Sequence, residues 1–74
     1  MNAQELEAAR RSIRRNIKAL RAINAEEDAH PLPPTTNPAA ERLFLGGTKI
    51  ENRAAERAPR DRFIAHAEDT LKQL

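Results

Sequence analysis

The residue types that could perform catalysis in this chain of 74 residues are one serine and two histidines, since there is no cysteine. Ser12 stands beside Arg11 in a segment of helix-forming composition. His66 and Asp69 have the i, i+3 spacing of an ordinary surface pair on a helix. An enzyme needs a nucleophile or an acid–base group in a dry, shaped pocket. Neither the surroundings of Ser12 nor the His66–Asp69 pair predicts such a group in such a pocket.

Metal and phosphate chemistry are also weakly supported. His30 follows Glu27 and Asp28 closely enough to bind a metal weakly, but polar residues at a helix end are usually solvated. Gly46–Gly47 stands alone and lacks the lysine of a phosphate-binding loop. We therefore expect a non-enzymatic protein with no metal, no cofactor and no small-molecule substrate.

The strongest functional pattern is the stretch 9–23, "ARRSIRRNIKALRAI", in which cations alternate with aliphatic residues. On a helix the cations share one broad side, and they are the candidate contacts to nucleic acid: Arg10, Arg11, Arg14, Arg15, Lys18 and Arg21. Such a side could neutralise several phosphates. The chain has no Trp, no Tyr and only two Phe, so stacking on bases is poorly supported. A membrane surface is disfavoured because the apolar side of this segment has no aromatic residue.

A protein partner, or a second copy of the chain, is the favoured alternative. Leu6, Ile13, Ile17, Leu20 and Asn24 fall within about 60° on a helical wheel, beside the cations. This stripe would pack into another helix or groove, with arginines engaging acidic residues at the rim. The same stripe could instead pack on the C-terminal helix of its own chain. The predicted contacts to a partner are Leu6, Ile13, Ile17, Leu20, Arg14, Lys18, Arg21, Leu43, Phe44 and Leu45.

The elements that carry these residues are predicted to be helical throughout, in one small all-α domain over 1–74. Ala, Glu, Lys, Leu and Arg dominate the composition, as in long helices and coiled coils. Large apolar residues are few, so the core is expected to be small and the monomer marginally stable, or stabilised by association. The absence of cysteine is consistent with a reducing cytoplasm, and no apolar run reaches membrane-spanning length.

A basic amphipathic helix is predicted over 2–28, with Asn2 as N-cap and Glu5 completing a capping box. The acidic residues 26–28 oppose the helix dipole, so the end of this helix is expected to fray. The proline-rich segment 29–37 should be a stiff, extended connector rather than a tight turn. "PLPP" at 31–34 could fit a groove that recognises polyproline, but a spacer is the favoured role.

A short apolar helix is predicted over 38–45, with Asn37 as N-cap and Gly46 as its left-handed end. A helical region over 49–74 should follow, opened by Thr48 and broken or kinked at Pro59 into helices at about 49–57 and 60–74. The trio Leu43–Leu45 is the most concentrated apolar cluster. It could be a docking surface or could close a small internal core.

The opening "QELEAAR" at 4–10 resembles the first helix of small head–tail joining proteins of tailed phages. Those proteins carry a β-hairpin between their helices, and no strand pattern occurs in this chain, so no function is transferred. A small cysteine-free chain rich in arginine and alanine is typical of phage and mobile-element products.

Overall fold

Three α-helices make up the protein, and a computed structural model describes all 74 residues. Helix α1 runs over Ala3–Ala29, α2 over Pro38–Leu45 and α3 over Lys49–Gln73. Helices account for 81% of the chain and there is no strand, so the predicted all-α class is confirmed. The connector between α1 and α2 has no regular structure.

The helix ends follow the predicted capping chemistry. Asn2 accepts the backbone N–H of Glu5 at 2.8 Å and donates back to the Glu5 carboxylate at 3.0 Å. Asn37 caps α2, and Gly46 ends it with φ of +74°, in the left-handed region that glycine adopts without a steric cost. The Thr48 hydroxyl accepts from the backbone of Glu51 at 3.1 Å to open α3.

The predicted break into two helices at Pro59 is wrong, because α3 continues as one helix through this residue. Proline has no N–H to donate to the carbonyl four residues earlier, which ordinarily costs about 3 kcal/mol inside a helix. Tertiary contacts offset that cost on both sides of the proline. Arg57 binds Asp28 of α1, and Arg60 binds Asn24 of the same helix, so both halves of α3 are held against α1.

Helices α1 and α3 pack antiparallel as a hairpin, while α2 makes little contact with either long helix. The core consists of Ile17 from α1 with Ile64 and Ala67 from α3. Three half-buried residues pack around it: Ile13, Leu20 and Leu71. The apolar stripe of α1 therefore packs on the C-terminal helix of its own chain, which was one of the two predicted alternatives. Buried apolar area stabilises a fold by roughly 25 cal/mol per Å², so this small core contributes only modestly to the free energy of folding.

Candidate functional site

The cationic side of α1 is exposed, and its residues differ in whether they meet a negative group. Arg10 donates to the Leu74 carbonyl at the end of α3, and Arg21 pairs with Glu68 of α3. Arg14 has only a distant carboxylate, that of Glu7 at 3.9 Å. These contacts tie part of the cationic side to α3 and lower the positive charge it offers to a ligand.

Three cations of this side have no carboxylate within 4.0 Å. Arg11, Arg15 and Lys18 are spaced i, i+4 and i+7, so they form one stripe along α1, and all three are exposed. No other group in the chain competes for them. This stripe is the part of the predicted nucleic-acid surface that is free to bind an external anion.

The apolar contacts predicted for a partner on α1 are turned inward. Ile17 is only 5% exposed, and Leu6, Ile13 and Leu20 are half-buried. A partner would have to displace α3 to reach Ile17. The predicted interaction surface on α1 is thus reduced to its charged members and to the exposed parts of Leu6, Ile13 and Leu20.

The trio of α2 (Leu43, Phe44 and Leu45, called the α2 trio below) is exposed instead. Leu43 is 79% exposed and Phe44 is 81% exposed, and no residue of α2 is buried. The prediction that this cluster closes an internal core is wrong. The α2 trio is exposed because α2 does not pack against α1 or α3 and is held to the start of α3 by polar groups.

Those polar groups hold α2 at the start of α3. The Arg42 guanidinium donates through two nitrogens to one Glu51 oxygen, at 2.9 and 3.1 Å, and this contact lowers the pKa of the Glu51 carboxyl. The Asn52 amide donates to the Leu45 carbonyl at 3.2 Å. A Cβ at Gly47 would stand 2.5 Å from Oδ1 of Asn52, so any larger residue there would displace the Asn52 side chain. The α2 trio is therefore presented in a defined orientation.

A polar network joins the end of α1 to α3, and nothing in the sequence pattern identified it. Glu27 accepts from Arg60 at 2.9 Å, and Asp28 accepts from Arg57 at 2.6 Å, a contact that lowers the pKa of Asp28 and raises that of Arg57. Arg53 donates to the His30 carbonyl at 2.8 Å. Helix α1 extends through Ala29, past the acidic residues, and arginines of α3 bind Glu27, Asp28 and its last carbonyls.

The residues considered for catalysis are dispersed. Ser12 and His66 are exposed on different helices, and the carboxylate of Asp69 accepts from Gln73 rather than from His66. His30 lies 3.0 Å from Glu26 in a surface contact. No group of three or more His, Asp or Glu side chains is placed to hold a metal ion.

A further surface that the sequence pattern did not reveal is a shallow groove along the hairpin, on the flank of α1 away from its cations. It is lined by Asn16, Ala19, Leu20 and Phe63. Ile23 follows one turn along α1 and is exposed, as is Phe63. We call these five residues the uncharged face. Combining the helical spacing of α1 with that of α3 would have located it, had the pairing of the two helices been known.

No protein family model matches the sequence, and no curated protein or solved structure is significantly similar to it. None of the three helices is both long enough and apolar enough to span a bilayer.

Proposed function

We propose that this protein is a non-enzymatic interaction protein that binds a protein partner through the α2 trio. We place this activity in the cytoplasm, a compartment with which a chain free of cysteine is consistent. The observation that supports the proposal is the exposure of Leu43 and Phe44 on a helix whose orientation is fixed by polar contacts.

Exposed leucine and phenylalanine side chains on one short helix are suited to filling a hydrophobic pocket. A few buried anchor residues, often aromatic, contribute most of the free energy of typical protein interfaces, and Phe44 is the aromatic member of the α2 trio. A helix that is already formed and oriented loses less conformational entropy on binding than a disordered segment would. The Arg42–Glu51 pair and the Asn52 amide supply that preorganisation without covering the trio.

The test is affinity capture from native cell extract, with and without nuclease, using the tagged wild-type protein and two serine variants. Phe44→Ser removes an anchor of the α2 trio, whereas Phe63→Ser removes the other phenylalanine, which lies on the hairpin. We expect one defined protein to be captured by wild type and by Phe63→Ser, and at least tenfold less of it by Phe44→Ser. Equal recovery by both variants would contradict the proposal, provided that circular dichroism shows the same helix content for all three proteins.

A second candidate function, binding of duplex nucleic acid, is favoured by the free stripe of Arg11, Arg15 and Lys18. Three phosphate contacts would give a slope of about −3 in a plot of log affinity against log salt. Changing these three residues to glutamine should abolish binding, whereas changing the paired Arg57 and Arg60 should leave the salt slope unchanged. Absence of duplex binding at low salt would exclude this function.

A further inference from the structure

The protein as a whole leaves more surface in water than a compact chain of its size ordinarily does. Its accessible area is 5735 Å², about 1,100 Å² more than the roughly 4,600 Å² expected for a compact monomer of this mass. Its radius of gyration is 17.3 Å, against about 11 Å for a compact domain of this length. This excess belongs to the whole elongated chain, including the connector and α2.

Part of that surplus is the uncharged face, where apolar side chains remain in water beside the core. Ile23 is 45% exposed and Phe63 is 50% exposed, and both lie on the same flank of the hairpin as Leu20. Ala19 and Asn16 complete the groove between them. The flank carries no Lys, Arg, Asp or Glu among these residues, unlike the cationic side of α1.

We propose that the uncharged face is the interface of a homodimer, in which two hairpins pack face to face as a four-helix bundle. A two-fold interface uses the same patch on both copies, so it must not bring like charges together. The uncharged face meets this condition, whereas the cationic side of α1 would place arginines against arginines. Two hairpins joined in this way would also enclose a core larger than the three residues buried in one copy.

The charges at the rim favour the same arrangement. On α1, Arg15 and Glu26 lie on the same edge of the face, Arg15 towards its N-terminal end and Glu26 towards its C-terminal end. A two-fold axis near Leu20 makes the two α1 helices antiparallel. Arg15 and Glu26 lie five and six residues from that axis, so Arg15 of one copy comes near Glu26 of the second copy. Ala19 lies at the closest approach of the two helices, where a small side chain lets backbones come together.

The wild-type protein is first examined by sedimentation equilibrium over a wide concentration range. The expected result is a concentration-dependent rise from the monomer mass of 8.3 kDa to twice that value. An ideal monomer at every concentration up to about 0.5 mM would overturn the proposal. A dimer with a dissociation constant above this value would hardly form at the concentrations of a protein in a cell.

The location of the interface is tested with one substitution at two sites. Ala19→Lys puts two charges into the dimer, one from each copy, and should raise the dissociation constant at least tenfold. Ala65→Lys is the matched control, since Ala65 is exposed and lies about 160° round α3 from Phe63. It should leave the constant within about twofold of wild type. Equal effects of the two variants would overturn the assignment, with circular dichroism confirming that both remain helical.

Two further variants separate this surface from others. Arg15→Glu should weaken the dimer, and adding Glu26→Arg should restore it; failure to restore would overturn the antiparallel register. Phe44→Ser should leave dimerisation unchanged, because the α2 trio lies outside the proposed interface. Loss of the dimer in Phe44→Ser would show that copies associate through α2, which would overturn this inference and also reassign the α2 trio from a partner to a second copy.

Discussion

The contact between Arg60 and Glu27 provides the sharpest test of what holds the hairpin together. Arg60 donates to Asn24 at 2.8 Å and to Glu27 at 2.9 Å, and the two charged side chains are only 15% and 17% exposed. Exposed ion pairs contribute roughly 0.2–1 kcal/mol, whereas removing one partner of a buried pair costs about 3–5 kcal/mol. Since this pair is partly buried, Arg60→Gln should lower the free energy of unfolding by about 2 kcal/mol.

In a domain of this size, about 2 kcal/mol corresponds to a fall of roughly 8–16 °C in Tm. The assay is thermal unfolding followed by circular dichroism at one fixed protein concentration, so that association does not differ between samples. Arg62→Gln is the control, because Arg62 lies on the same helix, is exposed and has no ion pair. It should change stability by less than about 0.5 kcal/mol.

A double-mutant cycle with Glu27→Gln then isolates the pair. If the two side chains act together, the double variant should be less destabilised than the sum of the single variants by at least about 1 kcal/mol. Equal Tm values for Arg60→Gln and Arg62→Gln would refute the view that polar contacts set the register of α1 against α3.

Three other outcomes are expected. Pro59→Ala should raise the free energy of unfolding by about 2 kcal/mol, because it restores the donor to the Ala55 carbonyl; an unchanged or lower urea midpoint would count against this. Gly46→Ala should lower the free energy of unfolding by about 1 kcal/mol, because the φ of Gly46 is +74°. A variant as stable as wild type would show that the turn between α2 and α3 adjusts its backbone. The pKa of Asp28 is lowered by Arg57 from its ordinary value of 3.8, so the stability it contributes is complete above that pH and is lost as pH falls through the folded-state pKa. The difference in Tm between wild type and Asp28→Asn should therefore narrow as pH falls below 3.8 and close once pH is below the folded-state pKa; a difference that does not narrow as pH falls would contradict the pairing.

The local structure could be predicted from single residues because capping chemistry is local. Asn2, Asn37, Gly46 and Thr48 each act on backbone groups within four residues, so their patterns located the helix ends correctly. Pro59 was misleading for the opposite reason. Its effect depends on contacts that α3 makes with α1, and those contacts are invisible until the two helices are paired.

The same distinction explains which surfaces the sequence identified. The cations of α1 form a pattern along one helix, so their shared side could be predicted from spacing alone. The outward orientation of the α2 trio depends on Arg42 and Asn52, whose partners lie seven to nine residues away. The uncharged face joins residues of α1 to Phe63 across more than forty positions, and no periodicity within one helix can indicate such a pairing.

The two proposed surfaces have a joint consequence, because they lie on different parts of the molecule. A dimer formed through the uncharged face would carry two copies of the α2 trio, each fixed to its own hairpin. A partner with two binding sites, or one arranged as a repeating assembly, would then be held by both trios at once. The second contact would form at a high effective concentration, so the apparent affinity would exceed that of a single trio by far more than twofold. Ala19→Lys should consequently weaken binding to such a partner without altering α2, whereas a partner with one site should bind this variant as well as wild type.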